Sequence, residues 1–259
     1  MELFHKMISA ALNISEKQIN NTLNLLKDGA TIPFISRYRK EVTGGLDEVQ
    51  IENIKNQYDK LCETAKRKET ILSTISEQGK LTAELQKRID DTWDTTELED
   101  IYLPYKPKRK TRAEAARQKG LEPLAVTLML QRENNLEAKV GSFVKGDVKT
   151  IEDALKGARD IIAEQVNEDE RARNAIRNQF SRQAVISAKV VKGKEEEAAK
   201  YRDYFEFSEP LKRCTSHRLL AIRRAESEGM LKVSISPDDE ECIERLERQF
   251  VRSNNECGR

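Results

Sequence analysis

Through most of its length the chain places apolar residues three and four positions apart, the spacing that lays a stripe along a helix. Ile14-Ser15-Glu16-Lys17-Gln18-Ile19 reads as a helix start: Ser15 caps, Gln18 returns the bond, and Ile14 staples onto Ile19. Ile19, Leu23 and Leu26 then share one face up to Asp28-Gly29. Phe34, Tyr38 and Val42 stand at i, i+4 and i+8, with Ile35 beside them, between Pro33 and Gly44-Gly45. That spacing predicts one helix with its aromatics in the core, Arg37 and Lys40 outward, and Arg37 paired with Glu41. Asp47 opens a longer helix. Its stripe runs Ile51, Ile54, Tyr58, Leu61, Ala65, Lys68, Leu72, Ile75, with one polar interruption at Lys68. About 30 helical residues would span roughly 45 Å. Gly79 ends the segment, and Leu81, Leu85, Ile89 and Trp93 predict a shorter helix returning alongside, an antiparallel hairpin.

Beyond the hairpin, Pro104 and Pro107 bracket a loop, Gly120 ends a helix and Pro123 begins another. Polar, glycine-containing sequence around 141–149 separates this half from the next. Thr150 caps a helix with Ala154, Leu155, Ala158, Ile161 and Ile162 inward; Asn167 with Glu170 starts a second; Ser181 caps a third running towards Val190. Three short capped helices fit a helix-turn-helix and equally fit plain helical packing. Ser216 begins a helix that ends at Gly229. In 231–236, Leu231, Val233 and Ile235 alternate with polar residues, a half-buried strand. Only 186–191 and 204–207 offer it weak partners, so its sheet is expected to be incomplete within this chain. A charged amphipathic helix carrying Ile243, Leu246 and Phe250 follows Pro237.

Composition narrows the function classes. Charged residues are 35% and aromatics 5% of the 259, which suits a helical, highly solvated protein. The 46 basic and 45 acidic side chains leave a net charge of +1, so any nucleic-acid site must arise from local segregation of charge. Cys62, Cys214, Cys242 and Cys257 form no C-x-x-C pair, and there are two histidines, so no zinc or other cofactor is expected. The cysteines read as reduced thiols of a cytoplasmic protein. No apolar run reaches membrane length and no signal-peptide core opens the chain.

Charge segregates most sharply near residue 100. Asp90, Asp91, Asp94, Glu97, Glu99 and Asp100 precede Lys106, Lys108, Arg109, Lys110, Arg112, Arg117 and Lys119, with Glu114 the one acid in the basic block. The basic run can follow a phosphate backbone, with Tyr102 and Tyr105 stacking on bases, or the two blocks can solvate a surface and pair with each other. Arg171, Arg173, Arg177 and Arg182 form a second basic set; in a helix-turn-helix, Arg182 would lie near the start of the groove-reading helix. "CTSHR" at 214–218 brings Cys, Ser and His together, but sequence neighbours rarely converge as nucleophile and base, and Ser216 is explained as a helix cap. "VKGKEEEAAK" lacks the G-x-x-x-x-G-K pattern. No catalytic role is expected.

"TIPFISRYRKEVTGGLDEVQ" (31–50), "LEDIYLPYKPKRKTRAEAARQKGLEPLA" (98–125), "VVKGKEEEAAKYRDYFEFSEPL" (190–211) and "SHRLLAIRRAESEG" (216–229) together resemble the N-terminal part of the Tex family of bacterial transcription-accessory, RNA-binding proteins. The resemblance runs from about residue 12 to about residue 238 in the family's order. It implies an elongated, mainly α scaffold with a helix-turn-helix-like element. It also implies that an RNase H-like domain, helix-hairpin-helix units and a C-terminal OB-fold domain lie outside this chain. Ala225 stands where the family usually carries glycine, a change a helix tolerates.

The expected organisation is a helical scaffold with a long hairpin over 1–140, a helix-turn-helix-like region over 141–230 and the start of a following domain over 231–259. The expected function is RNA or DNA binding in transcription. Lys106, Lys108, Arg109, Lys110 and Arg112 are the main phosphate contacts, with Arg37, Lys40, Arg177 and Arg182 as further ones. The alternative is a scaffold that docks transcription or ribosomal proteins without touching nucleic acid.

Overall fold

Capping side chains set most helix starts, and left-handed glycines set many of the ends. The computed structural model describes residues 2–108, 111–133 and 135–258, with one compact unit up to Lys106 and another from Pro107. In the first unit α1 (Glu2–Leu12) precedes α2 (Glu16–Lys27), which opens on the expected Ser15–Gln18 capping box. Next come α3 (Ile32–Tyr38), capped by Thr31, and α4 (Lys40–Thr43), which ends on Gly44 at φ 69°. An Asp47–Gln50 capping box starts α5 (Glu48–Glu77), the long helix, and α6 (Ala83–Asp91) and α7 (Thr95–Tyr102) follow, with a 3-10 turn at Leu103–Tyr105. Ile8, Ile19, Ile35, Ile51 and Ile54 fill one core cluster; Ile71, Ile75, Ile89, Leu98 and Ile101 fill a second.

Two stripes differ from their sequence reading. Phe34, Tyr38 and Val42 are exposed rather than core, and only Ile35 beside them is buried. Phe34 and Tyr38 share the outer face of one helix, and Arg39 then leaves helical geometry at φ −132°, ψ 29°, so Val42 does not continue that face. A two-turn helix buries Ile35 and Ser36 instead, and the expected Arg37–Glu41 pair is not among the ion pairs of the described residues. In α5 the buried face drifts from Leu61 to Thr64, Lys68, Ile71 and Ile75, bypassing Leu72. The face turns as its packing partner changes, from the first core cluster at Ile51, Ile54 and Leu61 to the second at Ile71 and Ile75. The hairpin is present, and Lys68 belongs to its interior. Its Nζ donates to the Asp90 carbonyl at 2.6 Å and lies 3.7 Å from the centre of the Trp93 ring.

In the second unit α8 (Arg112–Gln118), α9 (Glu122–Leu130), α10 (Leu136–Gly141) and α11 (Ile151–Glu168) enclose Leu121, Leu124, Leu128, Val140 and Ile161. Small residues bring α8 against α11: Ala113 and Ala116 face Ala154, Gly157 and Ala158. A Cβ on Gly157 would sit 2.4 Å from Leu121 Cδ1 and 3.3 Å from Ala116 Cβ. Gly157→Val is therefore expected to lower stability by about 2 kcal/mol through overpacking, despite valine's better helix propensity, as read from a denaturation midpoint. An unchanged midpoint would show that Leu121 has room to swing aside.

Asp169 caps α12 (Glu170–Gln183), so this helix starts two residues after the Asn167 expected from sequence. The third helix is absent. Ser181 lies inside α12, and Val185–Val190 is strand β1, because its alternating apolar residues meet pairing partners that outrank a local helix cap. Thus α11 and α12 lack the recognition helix that 181–190 would have supplied, and Arg182 sits in a last turn, not a first. β2 (Glu206–Pro210) and β3 (Leu231–Ser236) flank β1, both antiparallel. Ile186 faces Glu209 and Ile235; Ala188 faces Phe207 and Val233. The strand at 231–236 accordingly pairs along its whole length within this chain. On the sheet lies α13 (Ser216–Ser227), with Ile222 and Ala225 fully buried, so the alanine is accommodated in a helix. Thr215, not Ser216, holds its cap position. The last helix is α14 (Asp239–Phe250). Gln131 ties down the segment beyond it, donating to the Phe250 carbonyl at 2.8 Å and accepting from the Arg252 amide at 2.7 Å. Among the described residues no helix is long and apolar enough to cross a membrane.

Candidate nucleic-acid interface

Two bases of the run after the Tyr102–Pro107 elbow, Lys108 and Arg117, are spent on the protein itself. Glu164 of α11 accepts from Lys108 Nζ at 2.8 Å, Arg117 Nη1 at 2.6 Å and Thr111 Oγ1 at 3.2 Å, and Lys108 reaches Glu168 at 2.6 Å as well. The Glu164 side chain is only 12% exposed. Burial alone would raise its carboxyl, but the bonds from Lys108 and Arg117 outweigh burial and hold it below the ordinary value. Burial would likewise lower Lys108 and Arg117, and their carboxylate partners raise both. Arg112 is 85% exposed, with Asp160 a loose 3.8 Å away. Lys106 is exposed and in no ion pair among the described residues, whereas Arg109 and Lys110 lie outside them.

For Lys108 and Arg117 the main counter-charges come from α11. Of the acids upstream, Glu99 makes a two-point bond to Arg67, at 2.5 and 3.0 Å. Tyr102 is buried under the Arg67 guanidinium, 5.1 Å from the ring centre, and Tyr105 packs on the second core cluster. Tyr102 is therefore closed to the base stacking its position suggested.

A different cation group is open. Arg37, Arg39 and Lys40 are all exposed, and none of them is in an ion pair among the described residues. Glu41 is the one acid between Ile32 and Leu46, so this short stretch carries a local charge of +2. Phe34 is 40% and Tyr38 64% exposed, their ring centres 5.4 Å apart and planes tilted 42°. Arg39 lies 5.3 Å over the Phe34 ring. The framework beneath is tied down. Asn21 Nδ2 donates to the Val42 carbonyl at 2.8 Å and Gln18 Nε2 to the Thr43 carbonyl at 3.1 Å, while Ser36 Oγ donates to the Pro33 carbonyl at 3.1 Å. Sequence reading selected Arg37 and Lys40 here but missed Arg39, Phe34 and Tyr38. The signal available was the competing pair Ile32 and Ile35, which gives so short a helix a better buried face.

On α12, Arg177 bonds to Asn174 and Arg173 Nη1 donates to the Asn167 carbonyl at 3.4 Å, while Arg182 is exposed. Arg173 and Arg177 line an apolar groove of about 530 Å³ with Val166, Ile176, Phe180 and Leu246. At 214–218 no nucleophile is assembled: burial first, then Glu209, pushes the Cys214 thiol up, and His217 Nε2 lies 3.3 Å from Thr215 Oγ1.

Comparison with known proteins matches both parts of the chain. The family description "Tex-like protein N-terminal domain" fits residues 2–76 and "Tex central region-like" fits residues 131–257. Transcriptional accessory protein Tex of Neisseria gonorrhoeae is 41% identical over 248 residues, 95% of this chain and 33% of its own. Protein YhgF of Escherichia coli is 44% identical over 237 residues, 91% of this chain and 31% of its own. The human S1 RNA-binding domain-containing protein 1 is 31% identical over 246 residues, 90% of this chain and 24% of its own. The chain spans about a third of the length of the bacterial relatives it matches. By these matches to successive parts of one family, in order and over most of its length, the chain belongs to the Tex family.

Proposed function

We propose that this chain is a scaffold of a transcription-accessory protein that holds RNA or DNA through charge contacts, without catalysis. The observation that carries the reading is the open cation group Arg37, Arg39 and Lys40, whereas Lys108 and Arg117 of the other basic cluster are paired internally. Lys106, Arg112 and Arg182 are further exposed cations that a strand can meet. Contacts of this kind meet phosphates and position the strand without reading its sequence. Two relatives carry matching names, a transcriptional accessory protein and an S1 RNA-binding domain-containing protein. A second reading, docking of transcription or ribosomal proteins, is supported by the apolar groove between α11, α12 and α14.

Fluorescence anisotropy of this chain with single-stranded RNA and duplex DNA, over a salt series, separates them. Charge contacts make affinity fall with salt, and Arg37→Ala with Lys40→Ala should flatten the single-strand slope by about 0.7 for each phosphate that the variant no longer neutralises. Binding that ignores salt, or a slope unmoved by the double variant, would leave the protein-docking reading standing.

A further inference from the structure

We infer that the face carrying Phe34, Tyr38, Arg37, Arg39 and Lys40 is a base-stacking platform for an unpaired nucleic-acid strand. The inference rests on the nucleic-acid reading above and adds what that reading omits: contact with bases and a preference for single strands. Tyr38 presents nearly two thirds of its surface to solvent and Phe34 two fifths. α3 turns Ile35 and Ser36 inward and leaves both rings outward, and side chains from α2 hold the segment that follows by bonding the carbonyls of Val42 and Thr43. A backbone already held in place gives up little freedom on binding.

Ring chemistry and charge point to the same occupant. Every base has a π-face that stacks on an aromatic side chain, and a rim of cations meets the phosphates that connect the bases. Here two rings lie 5.4 Å apart, on a short stretch that also carries three cations outside any described ion pair and one acid, Glu41. A docking helix from a protein would want aliphatic surface, and Val42, at 37% exposed, is all this face adds. Paired bases offer their faces to one another, so a duplex could use only the cations. The guanidinium of Arg39 already covers one face of Phe34, which leaves Tyr38 as the principal stacking surface.

The test compares a short oligouridylate strand with an abasic strand of the same length and charge, each bound to the 259-residue chain at one salt concentration. The intact strand is expected to bind about tenfold tighter than the abasic one, from one stacked base. Tyr38→Ala should abolish the difference while leaving abasic binding unchanged. Tyr38→Trp should restore it, with the new indole quenched by uridine but not by the abasic strand. Circular dichroism checks that these exposed-site variants stay folded. Equal binding of both strands by the wild type, or a base preference that survives Tyr38→Ala, overturns the platform. If equal binding still depends on salt and on Arg37 and Lys40, the charge-contact reading survives. If the chain binds neither strand, both readings fail and this face belongs to a protein partner.

Discussion

Glu164→Gln is expected to lower the stability of the unit from Pro107 onward by about 2 kcal/mol and, on the proposed charge-contact reading, to tighten nucleic-acid binding. Breaking a buried ion pair from one side typically costs about 3–5 kcal/mol, because the abandoned charge stays buried. Here the loss is smaller, since Lys108 keeps Glu168 at 2.6 Å and Arg117 keeps Glu122 at 3.5 Å. Lys108 and Arg117 nevertheless lose their shared, largely buried partner, and the positive charge they return to the surface should steepen the salt dependence of RNA affinity. Stability and binding therefore move in opposite directions. A variant that loses stability without gaining affinity would show that Lys108 and Arg117 never reach a strand.

The same carboxylate predicts an acid dependence. Its proton affinity is lowered in the folded state, so the unfolded chain takes up the proton first as pH falls. Its stabilisation is complete above the unfolded-state value and disappears as pH drops through the folded-state value. The gap in denaturation midpoint between wild type and Glu164→Gln should accordingly close in acid. A gap that holds after all carboxylates are protonated would place the effect in packing rather than charge.

Most of the helical framework was legible because its signals are local. Ser15, Asp47 and Thr150 announce their helices through capping boxes, and each box forms between residues three apart. The strand at 231–236 was legible by its alternation, and 186–191 and 204–207 were visible as weak partners, but not that they complete its sheet, since pairing is decided between residues far apart in the chain. Val185–Val190 illustrates the same limit: Ser181 looked like a cap, and what overruled it was β3, more than 40 residues away. The candidate site was harder. Charge density picked out 106–119, yet the acids that pair with Lys108 and Arg117 sit on α11, some 50 residues on. The 34–42 stripe failed for a different reason: Ile35 and Ser36 took the inner face of α3, and the break at Arg39 removed Val42 from the stripe.

The interruption at Lys68 carries the other large effect. A polar residue inside a heptad stripe suggests an exposed face, yet Lys68 is 6% exposed and bridges α5 to the end of α6. Its stem fills core volume, its ammonium satisfies the Asp90 carbonyl, and the charge rests on the Trp93 ring. Lys68→Ala removes all three and should cost about 3 kcal/mol, between the loss from a buried truncation and that from an orphaned carbonyl. Lys68→Met keeps the stem and should lose only about 1–2 kcal/mol, which isolates the polar part. Trp93 is the sole tryptophan, so its emission reports both the unfolding and the loss of the nearby ammonium. Burial, offset in part by Asp90 and Asp91, lowers the proton affinity of Lys68 in the folded state. The unfolded chain then holds that proton to higher pH than the folded one, so wild-type stability should climb with pH between the two values. Lys68→Met has no such proton and should show a flatter profile there. If both profiles rise in parallel, or if Lys68→Ala melts like the wild type, the buried lysine adds nothing net and the hairpin is held by its isoleucines alone.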